Sequence, residues 1–325
     1  MRTVFLGNAQ WSVPALEALA GSSHRPELVL TRRPAPAGRR NRPTPTAVAE
    51  AARRLGLELR EIDTVKEGEG FDALAEARPD AVAVVAYGEI VPGRVLDVPR
   101  VAPVNVHFSL LPELRGAAPV QRAILEGLAA TGVTTIRMDE GMDTGPILLR
   151  VEEAVDPNDD AGSLGARLAT IGGRLLADSL DRLEAGTIEE RPQDHALATF
   201  APKITAADEV IDWSAGAERI VRQVRALSPS PGARTTFRGR ALKVFAARAG
   251  SVPSDVPGSD GLLPGSILGA RVRGVPGVWV RAGDGAVVLD EVQPEGRRRM
   301  AAGDFARGYR PVVGDLVGGP PSPTS

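Results

Sequence analysis

The feature that most constrains this chain is the alternation, through its first half, of short apolar runs with stretches of helical spacing. They run TVFLG, VPALEALA, ELVLT, TAVAEAARRLGL, FDALAEA, DAVAVVAY, APVNVHF, VQRAILEGL and GVTTIRMD, in that order. Such alternation predicts an α/β fold, a doubly wound and mostly parallel sheet with helices on its faces. The near-continuous apolar DAVAVVAY reads as a central strand covered on both sides. Ligands of such sheets lie beyond the carboxyl ends of the strands. The chain has 325 residues, more than the roughly 250–300 at which a single core stops growing, so a second domain is expected. The stretch SLGARLATIGGRLLADSLDRLEAG reads as a helix ending at Gly186, with polar, linker-like sequence after it. Further on come a helix in AGAERIVRQVRAL, the turn-rich SPSPGA and five short strands, ARTTF, ALKVFAA, GSILGA, GVWVRAG and AVVLDEV. This pattern predicts a smaller β-barrel. The expected division is residues 1–190, a linker at 191–206, residues 207–318, and a flexible Pro-rich tail at 319–325.

Several function classes drop out. FLGNAQWSVP after the first strand has one Gly where a dinucleotide fingerprint needs three, and no GxxxxGK[ST] occurs. Without cysteine there is no thiolate nucleophile or disulfide, which suits a reducing cytosol, and imidazole can come only from His24, His107 and His195. No run approaches the roughly 18 apolar residues of a membrane span, so a cytoplasmic protein with no membrane partner is expected. Residues 1–202 carry 22 basic and 29 acidic groups and residues 203–325 carry 17 and 12, so the halves are −7 and +5. An excess this small fits ordinary solvation as well as a polyanionic partner.

The informative stretch is NVHFSLLPELRGAAPVQRAIL, residues 105–125. On a strand, Asn105 and His107 project to one side and can converge on one atom. An amide N–H donor and a titratable imidazole could together hold a developing oxyanion and move a proton. The same pair could merely cap a strand end. DEGMDTGPIL follows GVTTIRMD and offers Asp139, Glu140 and Asp143 in a Gly-punctuated loop. Asp143 is the better candidate to meet the imidazole, because flanking glycines permit a close backbone approach. We expect the two strands to be parallel neighbours joined by VQRAILEGL, with both loops at one edge. The apolar SLLP segment is either turn packing or a wall for a flat heteroaromatic ligand.

The pattern N-V-H-x-S-L-L-P-x-x-R-G-A-A-P-x-Q-R followed by M-D-x-G-x-D-T-G resembles the methionyl-tRNA formyltransferase family. The likeness runs nearly the whole length, through VVAYG at 84–88, K-I at 203–204, I-D-W at 211–213, P-G-A at 231–233 and L-K-V at 242–244. It implies a Rossmann-like catalytic domain that binds folate and a C-terminal domain of oligonucleotide-binding (OB-like) type that touches tRNA. The implied reaction is formyl transfer from 10-formyltetrahydrofolate to the amino group of initiator methionyl-tRNA by a monomeric enzyme that needs no metal. By the family pattern Asn105, His107 and Asp143 are catalytic, Asp143 orienting His107, holding its charge, or taking the amine proton through water. Ser109, Leu110, Leu111 and Pro112 would contact folate, with Val85, Tyr87 and Gly88 beside the pterin. Residues 31–46 hold Arg32, Arg33, Arg39, Arg40 and Arg42 with no acid. Pro-Ala-Gly-Arg at 36–39 matches the family's tRNA-engaging loop, so Arg39, Arg40 and Arg42 are the implied tRNA contacts.

Two places depart from the family. Phe108 stands where a small residue is usual, a bulk that would narrow the pocket mouth. The first-strand turn is Gly7-Asn8-Ala9-Gln10-Trp11 rather than G-T-P-x-F, and P-W-P is Pro229-Ser230-Pro231. The competing readings are a folate-dependent formyltransferase acting on an amino sugar or other small amine, a formyltetrahydrofolate hydrolase, and a non-catalytic folate- or RNA-binding protein.

Overall fold

The computed structural model describes residues 1–37, 42–254, 256, 258–272 and 274–318. The expected tail at 319–325 and Arg39 and Arg40 lie outside the described residues. The chain divides into two compact units, one of residues 1–120, 129–155 and 164–203, the other of 121–128, 156–163 and 204–325.

The first unit is built on strands β1 (Thr3–Gly7), β2 (Pro26–Arg32), β5 (Leu59–Ile62), β6 (Ala81–Val85), β7 (Ala102–His107), β8 (Ala130–Arg137) and β9 (Ile147–Ala154). A short antiparallel hairpin of β3 (Ala35–Ala37) and β4 (Arg42–Thr44) stands apart from the sheet. The sheet order is β5-β2-β1-β6-β7-β8-β9. Pairs from β5 to β7 are parallel, whereas β8 is antiparallel to both β7 and β9. The expectation of a parallel β7–β8 pair is therefore corrected. Val104 lies opposite Arg137 and His107 opposite Thr134, so β8 ends beside the beginning of β7.

Helices α1 (Val13–Ala20), α2 (Ala47–Arg54), α3 (Gly68–Glu76) and α4 (Gly93–Leu96) follow the parallel strands, and α5 (Pro119–Glu126) and α6 (Ala161–Glu184) come later. Each obeys local chemistry. The Thr46 hydroxyl caps α2 by accepting the Ala49 N–H at 3.0 Å, and Val48, Ala49, Ala51 and Ala52 form its buried face. Strand β6 is buried at every position, as expected for a central strand. One core packs Val4, Leu6, Leu28, Leu30, Val82 and Val84 against Leu74 and Val95. The order reverses between β1 and β6, which opens a crevice beyond Gly7 and Val85.

The second unit contains α7 (Ala206–Glu209), α8 (Ala217–Ala226) and α9 (Ala302–Tyr309), with strands β10 (Ala233–Phe237), β11 (Arg240–Gly250), β12 (Ile267–Val272), β13 (Val275–Arg281), β14 (Ala286–Pro294) and β15 (Met300–Ala301). The antiparallel order is β10-β11-β14-β13-β12, with β15 on β14. Phe237 at the end of β10 bridges to Val317, and Ser266 before β12 bridges to Leu316, so one short segment joins the two edges. The inward faces bury Ile220, Val224, Leu242, Val244, Val280, Val292 and Phe305 in a single core.

Candidate active site

At the crevice edge the loops are fixed by buried polar groups. The Ser12 hydroxyl donates to the Val85 carbonyl at 2.6 Å. The Asn8 side-chain oxygen accepts the Arg32 N–H at 2.8 Å and the Thr31 hydroxyl at 3.0 Å, and its amide donates to the Tyr87 carbonyl. The unusual first-strand turn thus ties the ends of β1, β2 and β6 together. Glu89 accepts from Thr64 at 2.8 Å and pairs with Arg32 at 2.8 Å. Tyr87 is buried, and desolvation, assisted by the negative charge of Glu89, pushes its phenol up to about 12.

These loops wall a cavity of about 580 Å³ that also takes in Asn105, His107, Phe108, Gly116, Met138 and Asp143, within the usual range for small-molecule sites. Asp143 arrives by a loop that folds back over β7 from the far end of β8, rather than by a shared strand edge. Within that loop Asp139 accepts the Gly141 N–H at 3.1 Å and the Thr144 hydroxyl at 2.7 Å. One oxygen of Asp143 accepts the Gly116 N–H at 2.9 Å. The other lies 3.6 Å from Nδ1 of His107 and receives the Asn105 amide at 3.4 Å. His107 is 5 % exposed, and its Nε2 lies 2.9 Å from the Leu114 carbonyl. A carbonyl can only accept, so Nε2 carries a hydrogen and Nδ1 alone faces Asp143 and the cavity.

The backbone here is unusual. Among the described residues six non-glycines have positive φ, and three belong to this region: Ala86 at 43°, Leu114 at 56° and Asp143 at 56°. Each such conformation costs on the order of 1–3 kcal/mol and persists only where its surroundings enforce it. Gly116, with φ of 119°, sits where a Cβ would lie 2.8 Å from the Ala201 carbonyl oxygen, so no other residue type fits this N–H donor position without strain.

Of the other residues singled out in the sequence, Tyr87 and Gly88 line the cavity, whereas Val85, Ser109, Leu110, Leu111 and Pro112 are not among its lining residues. Ser109 is fully buried and donates its hydroxyl hydrogen to the Glu113 carbonyl at 2.6 Å. Leu111 and Pro112 border a separate, polar hollow of about 630 Å³. Phe108 is 6 % exposed and packs edge-on against Trp11, ring centroids 6.1 Å apart. Helix α6 makes room for the Trp11 ring and for β7: a Cβ at Gly165 would lie 2.4 Å from Trp11, and one at Gly172 would lie 2.8 Å from Val106. Phe108 is thus a wall of an open cavity.

Sequence reasoning missed Arg115, Gln193 and Thr199. Thr199 receives the Leu114 N–H at 2.8 Å through its hydroxyl and the Arg115 N–H at 2.9 Å through its carbonyl. Gln193 donates to the Asp143 carbonyl at 2.9 Å. The polar composition of 191–203 carried no signal of this. In the second unit Arg234 pairs with Glu209 at 3.4 Å, Arg238 with Asp315 at 2.8 Å and Arg240 with Glu295 at 3.7 Å. Among the described residues no three His, Asp or Glu side chains gather as a metal site.

The formyl transferase family model matches residues 1–180, and that of the formyl transferase C-terminal domain matches 203–310. The methionyl-tRNA formyltransferase of Streptomyces coelicolor is 44% identical over 319 residues, 98% of this chain and 100% of its own length. That of Solibacter usitatus is 41% identical over 318 residues, 98% of this chain and 99% of its own. HypX from Aquifex aeolicus, solved in complex with tetrahydrofolic acid, superposes with a TM-score of 0.62 over 96% of this chain and 48% of its own. At 18% identity that likeness is one of fold.

Proposed function

Because this chain belongs to the methionyl-tRNA formyltransferase family, we propose that it transfers the formyl group of 10-formyltetrahydrofolate to the amino group of initiator methionyl-tRNA, giving formylmethionyl-tRNA. The observation that carries this reading is the meeting of Asp143 with Nδ1 of His107 at 3.6 Å and with Asn105 at 3.4 Å on the wall of the cavity.

Free α-amines have pKa values near 7.7–8.0, so roughly a tenth or more of such an amine is neutral near pH 7, a useful fraction that needs no strong activation. As the amine nitrogen bonds to the formyl carbon, the carbonyl oxygen becomes negative, and the Asn105 amide and Nδ1–H of His107 are the donors placed to hold it. Such a donor is worth about 2.7–4 kcal/mol of barrier. Asp143 compensates the imidazolium charge. The bond from the formyl carbon to the folate nitrogen then breaks. One proton leaves the amine and one reaches that nitrogen, and Nδ1 is the position on His107 able to carry it, since Nε2 is held by Leu114. Tyr87 and Gly88 stand against the folate ring in this reading.

Residues 1–190 carry the chemistry, braced by Gln193 and Thr199 from the 191–206 segment that follows, and residues 207–318 contact tRNA together with Arg39, Arg40 and Arg42. No helix among the described residues is long and apolar enough to cross a membrane, and the proposed enzyme works as a cytoplasmic monomer. The test is formyl transfer from 10-formyltetrahydrofolate to charged initiator tRNA, run beside a nucleotide-linked amino sugar and free amines. Formylmethionine on tRNA is expected; formylation of the sugar or small amine instead would replace this reading with the amino-sugar one.

A further inference from the structure

A buried run of polar contacts outside the cavity ends on the main chain of Asp143. Gln193 is 7 % exposed, and its amide nitrogen donates to the carbonyls of Asp143 at 2.9 Å and Gly145 at 2.7 Å. Its oxygen accepts from Nε of Arg115 at 3.2 Å and from Nη2 at 2.6 Å. Both hydrogens and both lone pairs of the amide are therefore used. Arg115 is 4 % exposed, and its Nη2 also reaches Nδ1 of His195 at 3.1 Å. A guanidinium only donates, so His195 presents a lone pair there. Two donors from one side chain grip the loop on either side of Thr144, at the residue whose φ of 56° is left-handed. Without them that backbone is free to relax and carry its carboxylate away from Asn105 and His107.

We infer that Gln193 and Arg115 are positioning residues for the formyl transfer, setting the place of the Asp143 carboxylate by holding its main chain from behind. This rests on the reading of Asp143 as a member of the reacting group.

The test is Gln193→Glu, which keeps the length and an acceptor for Arg115 but puts an oxygen in place of the NH2 group that faces the two carbonyls. A displacement of about 1 Å at a reacting group can cost on the order of 10²-fold. The expected result is a fall of that order in kcat per folate-binding-competent molecule, with KM for the formyl donor changed less than about threefold. In an Asp143→Asn background the same substitution should cost less than about threefold, since residues acting as a unit are non-additive. Full turnover in Gln193→Glu, or an equal loss in both backgrounds, overturns the positioning role. If Gln193→Glu does not fold, Gln193→Asn, with both bonding groups one methylene short, is measured with the same expected and contrary outcomes. Wild-type protein that formylates no methionyl-tRNA would instead strike the functional reading, so the two failures are separable.

Discussion

With Nε2 of His107 committed to the Leu114 carbonyl, the imidazole meets a substrate through Nδ1, and the side chains beside that nitrogen decide what it does. Asn105→Ala and Asp143→Asn are each expected to lower kcat about 10²–10³-fold while equilibrium folate binding and the unfolding midpoint stay close to wild type. Near-wild-type turnover in either variant would remove that residue from the chemistry. Tyr87 allows a pH test. Its phenol ionises at about 12 in the native protein but near 10 when unfolded. The unfolded chain therefore sheds this proton first, and native stability falls as pH rises from about 10 to 12. A spectrophotometric titration should show a late tyrosinate step that Tyr87→Phe abolishes. The gathering of Asn105, His107 and Asp143 was legible in the sequence because the signal lies in the side-chain types themselves. The Leu114 carbonyl and the Gly116 N–H were not, since every residue owns the one and every residue but proline the other, and only the fold aims them.

Strand direction is the element-scale feature that the letters concealed. GVTTIRMD is apolar and β-branched whichever way it runs, and the helix before it suits a crossover, yet β8 lies antiparallel to β7. The alternation of strands and helices and the buried β6 could be read because propensity and burial pattern agree there. The return of the 138–146 loop could not, as it depends on Gly145, where a Cβ would meet the Arg137 carbonyl, and on a side chain fifty residues away. Helix α6 makes a sharper prediction. A Cβ at Gly173 would lie 2.8 Å from the Pro14 carbonyl oxygen and 3.1 Å from the Ala15 main chain at α1. Because backbone cannot step aside cheaply, Gly173→Ala is expected to destabilise the protein by about 1–3 kcal/mol, read as a lower urea midpoint. An unchanged midpoint would mean the two helices separate freely.

At the scale of the whole molecule, phosphate contact competes with ion pairs: the arginines of β10 and β11 and the turn between them already face acids, so tRNA must displace those partners or use other arginines. If basic side chains hold tRNA, log affinity falls linearly with log salt, and replacing both Arg39 and Arg40 should flatten the slope by about 2, leaving folate affinity untouched. Salt-independent binding would rule this out. The membership of the second unit carries a practical consequence. Arg122 on α5 pairs with Asp208 at 3.2 Å, and Arg225 donates to the Asp159 carbonyl at 3.3 Å, all within that unit. Residues 204–318 are therefore no detachable cassette. A chimera that grafts them onto another scaffold must import the two mid-chain stretches as well, or take from Arg225 the Pro157 and Asp159 carbonyls to which its guanidinium donates.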